Sequence, residues 1–259
     1  MATKKARIIS VVSEKGGVGK TVTVINLAAA LSLRDKRVLV VDMDPQLNAT
    51  KSLGVNPSED SLSVYDVVKL ENPVPAQSVV VHTPWEHLHL LPSHVDLSGL
   101  EVELANAAGR ENRLKEALAP MASLYDFLLL DTPPSLSLLT VNVLAFASEV
   151  LIPCQTHPYA YSALDELLET ISIIREEINP HIRITGVVAT FFDQRTRVSN
   201  IILEALRSDK RFEGKLFNAV IRINTTIAES AYYGVPVVFF RRWCTGAIDY
   251  MALAGEILT

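Results

Sequence analysis

The residues with the clearest chemical potential lie near the start of the chain: Ser13-Glu14-Lys15-Gly16-Gly17-Val18-Gly19-Lys20-Thr21. An apolar run, 8–12, precedes them and a helical pattern, 21–33, follows. That strand-loop-helix setting is what a phosphate-binding loop needs. Glycines let the backbone turn tightly, so that successive N–H groups aim at phosphate oxygens, and the helix N-terminus adds partial positive charge. Lys20 is expected on the β- and γ-phosphates and the Thr21 hydroxyl on magnesium, which makes ATP and Mg2+ the expected ligands. The standard spacing wants a glycine five residues before Gly19, where this chain has Glu14.

Two further signals involve carboxylates. Val40-Val41-Asp42-Met43-Asp44-Pro45 places two of them just past a strand, at the sheet edge where ligands bind in such folds. An exposed carboxylate near a γ-phosphate can orient attacking water; an ordinary polar loop is the competing reading. Phe127-Leu128-Leu129-Leu130-Asp131 is an apolar run ending in an acid, a buried strand delivering one carboxylate to a metal. Many strands end in Asp, so this third signal gains its weight from the order and distances of all three.

The elements that must position these groups are legible as short, nearly continuous apolar runs at 8–12, 38–41, 127–130, 150–152, 184–189 and 235–240. Strands buried on both faces of a parallel sheet have this pattern. Helical patterns alternate with them at 21–33, 113–121, 136–147, 163–178, 198–207 and 245–258. The alternation predicts a single α/β domain over 1–259, a mostly parallel twisted sheet flanked by helices and joined by right-handed crossovers. Residues 1–6 form a basic tail. The breakers Asn56-Pro57, Asn72-Pro73 and Pro75 mark 54–84 as an irregular insertion with a short helix near 62–69.

Composition narrows the class. The chain has 259 residues, 49% hydrophobic and 20% charged, enough for a full core. Its formal net charge is -5, so any nucleic-acid contact must use a local basic patch. Cys154 and Cys244 fit no metal spacing and suggest reduced thiols. No run approaches the ~20 apolar residues of a membrane span, and no signal peptide is evident, which predicts a cytoplasmic protein.

The Lys15-Gly16-Gly17 variant resembles the deviant phosphate loop of the ParA/MinD family of ATPases. The similarity to the ParA/Soj branch covers nearly the whole chain. It includes Pro92-Ser93-His94-Val95-Asp96-Leu97, Arg110-Glu111-Asn112-Arg113-Leu114, Ile152-Pro153-Cys154-Gln155, Phe192-Asp193-Gln194-Arg195-Thr196 and Gly234-Val235-Pro236. The resemblance implies a slowly hydrolysing switch ATPase. ATP drives a homodimer with two nucleotides at its interface, and Lys15 reaches the partner's nucleotide; a solvated loop lysine is the alternative. It assigns Asp44 to the attacking water and Asp42 to the neighbourhood of the magnesium shell. It further implies non-specific DNA binding by the ATP dimer, association with the nucleoid, and stimulation by a ParB-type partner.

Departures limit that carry-over. Val22 replaces a Thr or Ser that the family usually has near the α-phosphate, and His157 stands where Glu is frequent. The Pro-Arg-Asn segment near the adenine and the DNA surface reads Arg222-Ile223-Asn224, an arginine that carries DNA binding aligns with Thr226, and Arg241-Arg242 replaces an Asp-Pro pair. Candidate DNA contacts are therefore Arg195, Arg197, Lys210, Arg211, Lys215, Arg222, Arg241 and Arg242, unless they are ordinary solvated charges. Three functional alternatives remain. A positioning ATPase for a protein cargo would use the same cycle. A MinD-like membrane regulator needs an amphipathic helix beyond the core, and 246–258 reads as the last core helix. A nitrogenase-iron-protein-like reductase needs cysteine contexts that Cys154 and Cys244 lack.

Overall fold

A computed structural model describes residues 6–259, so the expected basic tail lies outside the described residues except for Ala6. The strands are β1 (Arg7–Val11), β2 (Val38–Asp42), β3 (Val81–His82), β4 (Leu88–Leu91), β5 (Phe127–Asp131), β6 (Glu149–Gln155), β7 (Arg183–Phe192) and β8 (Leu216–Arg222). The helices are α1 (Lys20–Ser32), α2 (Asn48–Ser52), α3 (Val64–Val68), α4 (Leu100–Glu103), α5 (Arg113–Leu118), α6 (Leu138–Phe146), α7 (Pro158–Ser162), α8 (Leu164–Glu177), α9 (Arg197–Ser208), α10 (Thr225–Tyr232), α11 (Val237–Phe240) and α12 (Thr245–Leu258).

The strands form one sheet in the order β3-β4-β2-β5-β1-β6-β7-β8. β3 runs antiparallel to β4, and the other neighbours are parallel. The unbroken apolar runs have a direct cause. In β5, Leu128 and Leu130 pack into one core layer while Phe127 and Leu129 pack into the other. Helices α5, α6, α8 and α9 fill the first layer and α1, α11 and α12 the second, so a central strand has no solvent face on which to place polar residues.

Residues 235–240, expected as a strand, instead form the helical turn α11. Pro236 sits at its N-cap and donates no N–H. The Val237 N–H donates to Asn26 Oδ1 of α1 at 2.7 Å, and Val237 and Val238 are buried in the second layer. An apolar run this short fits a strand or a buried helical turn equally well, and here the tertiary contacts decide. Three strands escaped the apolar pattern, among them the two-residue β3. In β4, His89 interrupts the run and shares a hydrogen bond with the Tyr125 hydroxyl at 2.9 Å. In β8, an edge strand, exposed Asn218 interrupts a half-buried pattern. The stretch 54–84 contains α3, within the expected short helix, and β3.

Strands β2, β5 and β1 lie side by side at the centre, and their C-terminal ends reach one level. Asp42 and Val11 both pair in register with Asp131. The loop after β1 and the acids ending β2 and β5 are thereby brought to one edge of the sheet.

Candidate functional site

The loop between β1 and α1 depends on two glycines in the left-handed region, Gly17 at φ 76° and Gly19 at φ 92°. A side chain is strained at either position, and a Cβ on Gly19 would also lie 3.3 Å from the Phe191 ring. Gly19 caps α1 without a side chain, which leaves the first helical N–H groups for an anion. Lys20 opens the helix and is buried. Its ammonium donates to the Lys15 carbonyl at 3.2 Å. Burial lowers its pKa, while the charges of Asp131 and Asp44 work in the other direction. Lys15 itself is exposed and Val18 is buried; the Val18 carbonyl accepts a hydrogen bond from Thr190 Oγ1 at 2.8 Å.

The three acids have different surroundings. Asp42 is fully buried and both of its oxygens are engaged. Oδ1 accepts the Asp44 N–H at 3.1 Å, and Oδ2 accepts the Thr50 N–H at 2.8 Å and the Thr50 hydroxyl at 2.6 Å. Burial pushes its pKa up to about 6 against those hydrogen bonds. Asp42 therefore ties β2 to α2, with both oxygens already engaged. Asp44 Oδ1 accepts the Gln46 N–H at 3.0 Å, and its carbonyl accepts from the Ser93 hydroxyl at 2.7 Å. Asp131 contrasts with both. Its two carboxylate oxygens are buried and have no hydrogen-bond partner among the described residues. Burial pushes its pKa well up, the neighbouring Asp42 charge adds to this, and the Thr21 hydroxyl, near it but outside hydrogen-bond geometry, opposes it. A buried carboxylate without partners is costly unless a cation or a proton takes it up. Beside Thr21 and Lys20, this orphaned oxygen pair fits a magnesium ion.

Two adjoining cavities complete the site. A cleft of about 420 Å³ is lined by residues of the phosphate loop, Gly16 to Val22, together with Asp44 and Phe191. Asn48, Ser52, Thr132 and Ala231 also line it. A smaller, largely apolar slot of about 130 Å³ shares Gly19, Val22 and Phe191 with the cleft and continues to Ile221, Arg222 and Tyr250. Phosphates in the cleft and a flat base in the slot would lie end to end. Phe191 stands between the two and was missed in the sequence. It holds φ 50°, a left-handed conformation costly for an aromatic residue, and nothing in its residue type announces that. Thr50 and Ser93 were also missed; the Thr50 hydroxyl accepts the Ser93 N–H at 3.0 Å while serving Asp42. Thr132, whose hydroxyl donates to the Val11 carbonyl at 2.9 Å, joins the two central strands at the cleft.

The basic residues do not form the single patch their sequence spacing suggests. Arg195 pairs with Asp193 at 2.9 Å, Arg222 with Asp249 at 2.5 Å, and Arg211 with Asp209 at 2.5 Å and also with Asp165. Helix α9 spans ~18 Å at 1.5 Å per residue. It carries the chain from the C-terminal end of β7 to the start of β8, so Lys210, Arg211 and Lys215 lie toward the edge opposite the nucleotide cleft. Arg197, Lys210, Lys215 and Arg242 form no ion pair among the described residues, and Arg241 has one long contact, 3.9 Å to Glu229.

Comparison with known proteins converges on one family. A family model described as an AAA domain matches residues 6–184. The chromosome partitioning protein ParA of Myxococcus xanthus is 39% identical over 97% of this chain and 88% of its own. The sporulation initiation inhibitor protein Soj of Bacillus subtilis is 38% identical over 97% of this chain and 98% of its own. Among solved structures, a Mycobacterium smegmatis protein described as cobyrinic acid a,c-diamide synthase, with bound ATP analogue and magnesium, superposes with a TM-score of 0.86 and 34% identity, covering 98% of this chain and 94% of that one.

Proposed function

This chain belongs to the ParA/Soj family of chromosome-partitioning ATPases, and from that membership we propose that it is an ATP- and Mg2+-dependent dimerising switch that segregates or positions DNA. The observation that carries the proposal is the orphaned Asp131 carboxylate beside Thr21 and the buried Lys20, at the base of the glycine loop.

The residues divide the work as follows. The N–H groups of Gly16 to Thr21 cradle the β-phosphate, and Lys20 leaves the Lys15 carbonyl for the β- and γ-phosphates. Thr21 and Asp131 are the residues that would hold magnesium, whose charge would neutralise the phosphate oxygens. Asp44 orients a water for in-line attack on the γ-phosphorus; the bond to the β-phosphate oxygen breaks, and ADP and phosphate leave. Asp42 holds the Asp44 loop through Thr50. Val22, Phe191 and Arg222 flank the base.

A second subunit completes the site. Lys15 is exposed, so it is available to a partner's phosphates across a homodimer interface. Leu136, Tyr159, Phe191 and Val198 are exposed large apolar residues, and each follows or ends a strand at its C-terminal edge, where the nucleotide lies. A surface of this kind favours association. The ATP dimer then retains DNA without sequence preference, and a ParB-type partner accelerates hydrolysis and release. Partition by this cycle accounts for the two curated relatives, and the amide-forming chemistry named for the mycobacterial protein is not needed for it.

The test is size-exclusion of the Asp44→Ala variant with ATP, with and without duplex DNA. A dimer that forms only with ATP and carries DNA supports the switch. Equal DNA retention by the nucleotide-free protein would defeat it.

A further inference from the structure

Tyr232, Tyr233, Phe240, Arg241, Arg242 and Trp243 form a surface ahead of α12 that the nucleotide cycle does not use. Tyr232 is 85% exposed and Trp243 78%. Leaving rings this large in water forgoes burial energy, and grouped exposed rings mark a surface meant to be covered. These rings are ordered among themselves. Tyr233 stacks on Phe240 with centroids 5.7 Å apart, and Tyr232 meets Tyr233 edge-on at 5.3 Å. Each arginine lies over a ring, Arg241 over Phe240 at 5.8 Å and Arg242 over Trp243 at 4.8 Å.

The chemistry of the patch selects its occupant. A guanidinium carried on an aromatic face keeps its N–H donors available for phosphate oxygens. Arg242 has no ion pair among the described residues, and Arg241 is held only loosely by Glu229 at 3.9 Å, so the patch suits a polyanion. Exposed rings beside those donors suit flat π faces spaced along the same polyanion. The bases of a duplex are already stacked on one another, whereas unpaired bases are free to stack on protein rings. An anionic membrane would also attract the arginines. Rings that are engaged with each other and with guanidinia, however, are poorly placed to enter a bilayer singly.

We propose that this surface binds single-stranded DNA, with Tyr232 and Trp243 stacking on unpaired bases and Arg241 and Arg242 taking the adjacent phosphates. The proposal rests on the DNA-partner reading above for its choice of polyanion and adds a strand preference to it. Ala231, which lines the phosphate cleft, directly precedes Tyr232, so the patch adjoins the nucleotide site.

Fluorescence anisotropy with a labelled oligothymidylate of about 20 nucleotides, longer than typical single-strand sites, and with its duplex in ATP and magnesium tests this. Trp243→Ala is expected to weaken single-strand binding ~10-fold, Trp243→Phe much less, with duplex binding changed by less than ~2-fold. Arg242→Ala should lower single-strand affinity and reduce its salt dependence by about one phosphate contact. Thermal melting verifies that the variants, altered only at exposed residues, are folded. Wild-type affinity of Trp243→Ala for the single strand would overturn the proposal, as would an equal loss on duplex. So would a Trp243→Ala variant that lost sedimentation with anionic vesicles and kept the oligonucleotide. If Trp243-dependent single-strand binding persists while duplex retention proves independent of ATP, this proposal stands and the partition switch falls.

Discussion

Lys20 donates its ammonium to the backbone carbonyl of Lys15 at 3.2 Å. This bond couples two lysines five positions apart, the buried Lys20 and the exposed Lys15. In the proposed switch, ATP draws Lys20 off that carbonyl and frees the backbone that carries Lys15 toward a partner.

Lys20→Ala follows from this relationship. The variant loses the phosphate-directed charge and about two charge-assisted hydrogen bonds, so ATP affinity should fall ~100-fold. Isothermal titration calorimetry measures it. Affinity unchanged from wild type would remove the phosphate loop from the site.

Asp44 should separate binding from turnover. Asp44→Asn keeps an oxygen for the Gln46 N–H, the 3.0 Å contact that shapes the loop, while removing the carboxylate charge. ATP binding should persist, hydrolysis should drop ~100-fold or more, and an ATP-bound dimer should accumulate. Steady-state phosphate release together with size-exclusion decides the matter; turnover equal to wild type would assign the water to another group.

Glu149 governs acid stability away from the site. It is buried and joins Arg7 of β1, Arg183 and Thr185 of β7 to its own strand β6. Burial acts to raise its pKa, but hydrogen bonds from Arg7 and Thr185 and the charge of Arg7 outweigh it and hold the acid below its ordinary 4.5. A depressed carboxylate contributes stability above the unfolded value and loses it as pH falls through the folded value. Glu149→Gln should cost roughly 1–2 kcal/mol at pH 7, discounted because Arg7 is partly exposed. Urea melts should show the two proteins converging below pH 4.5; a constant gap would mean that the charge is not involved.

How much of this could be read from the sequence depended on whether chemistry or packing set the residue type. The phosphate loop and the acids ending β2 and β5 were legible because glycine at positive φ, Lys-Thr at a helix start and Asp at a strand end are chemical requirements. The distinction between Asp42 and Asp131 was not. Both are buried acids ending adjacent strands, and only the positions of Thr50 and the Asp44 N–H show that both Asp42 oxygens are engaged while those of Asp131 have no partner among the described residues. Phe191 was invisible because its left-handed backbone is imposed by the fold. The spread of the basic stretch was not legible because sequence neighbours on α9 and around it are separated by the length of a helix, and because Asp193, Asp209 and Asp249 pair with arginines that a charge count leaves free. In 235–240, period and length could not separate a strand from a buried turn.

Asp131→Asn provides a test in which stability and ligand binding move in opposite directions. The wild-type carboxylate is buried without a partner among the described residues, and burial followed by the Asp42 charge raises its pKa well above the ordinary 3.8. A raised carboxylate costs stability once pH exceeds the unfolded value, and the cost is complete above the folded one. The neutral amide escapes most of it and should stabilise the nucleotide-free protein by about 1–2 kcal/mol near neutral pH, raising the melting temperature by roughly 2–6 °C. That advantage should shrink as pH falls toward 3.8, where the acid is protonated in the unfolded chain as well as in the folded one. With ATP and magnesium the order should reverse, because the amide has no charge for the metal and the wild type alone gains stability by binding. Melting scans with and without MgATP at two pH values read both effects. If Asp131→Asn melts lower than wild type without ligand and gains equally from MgATP, Asp131 is a structural acid and the metal assignment fails.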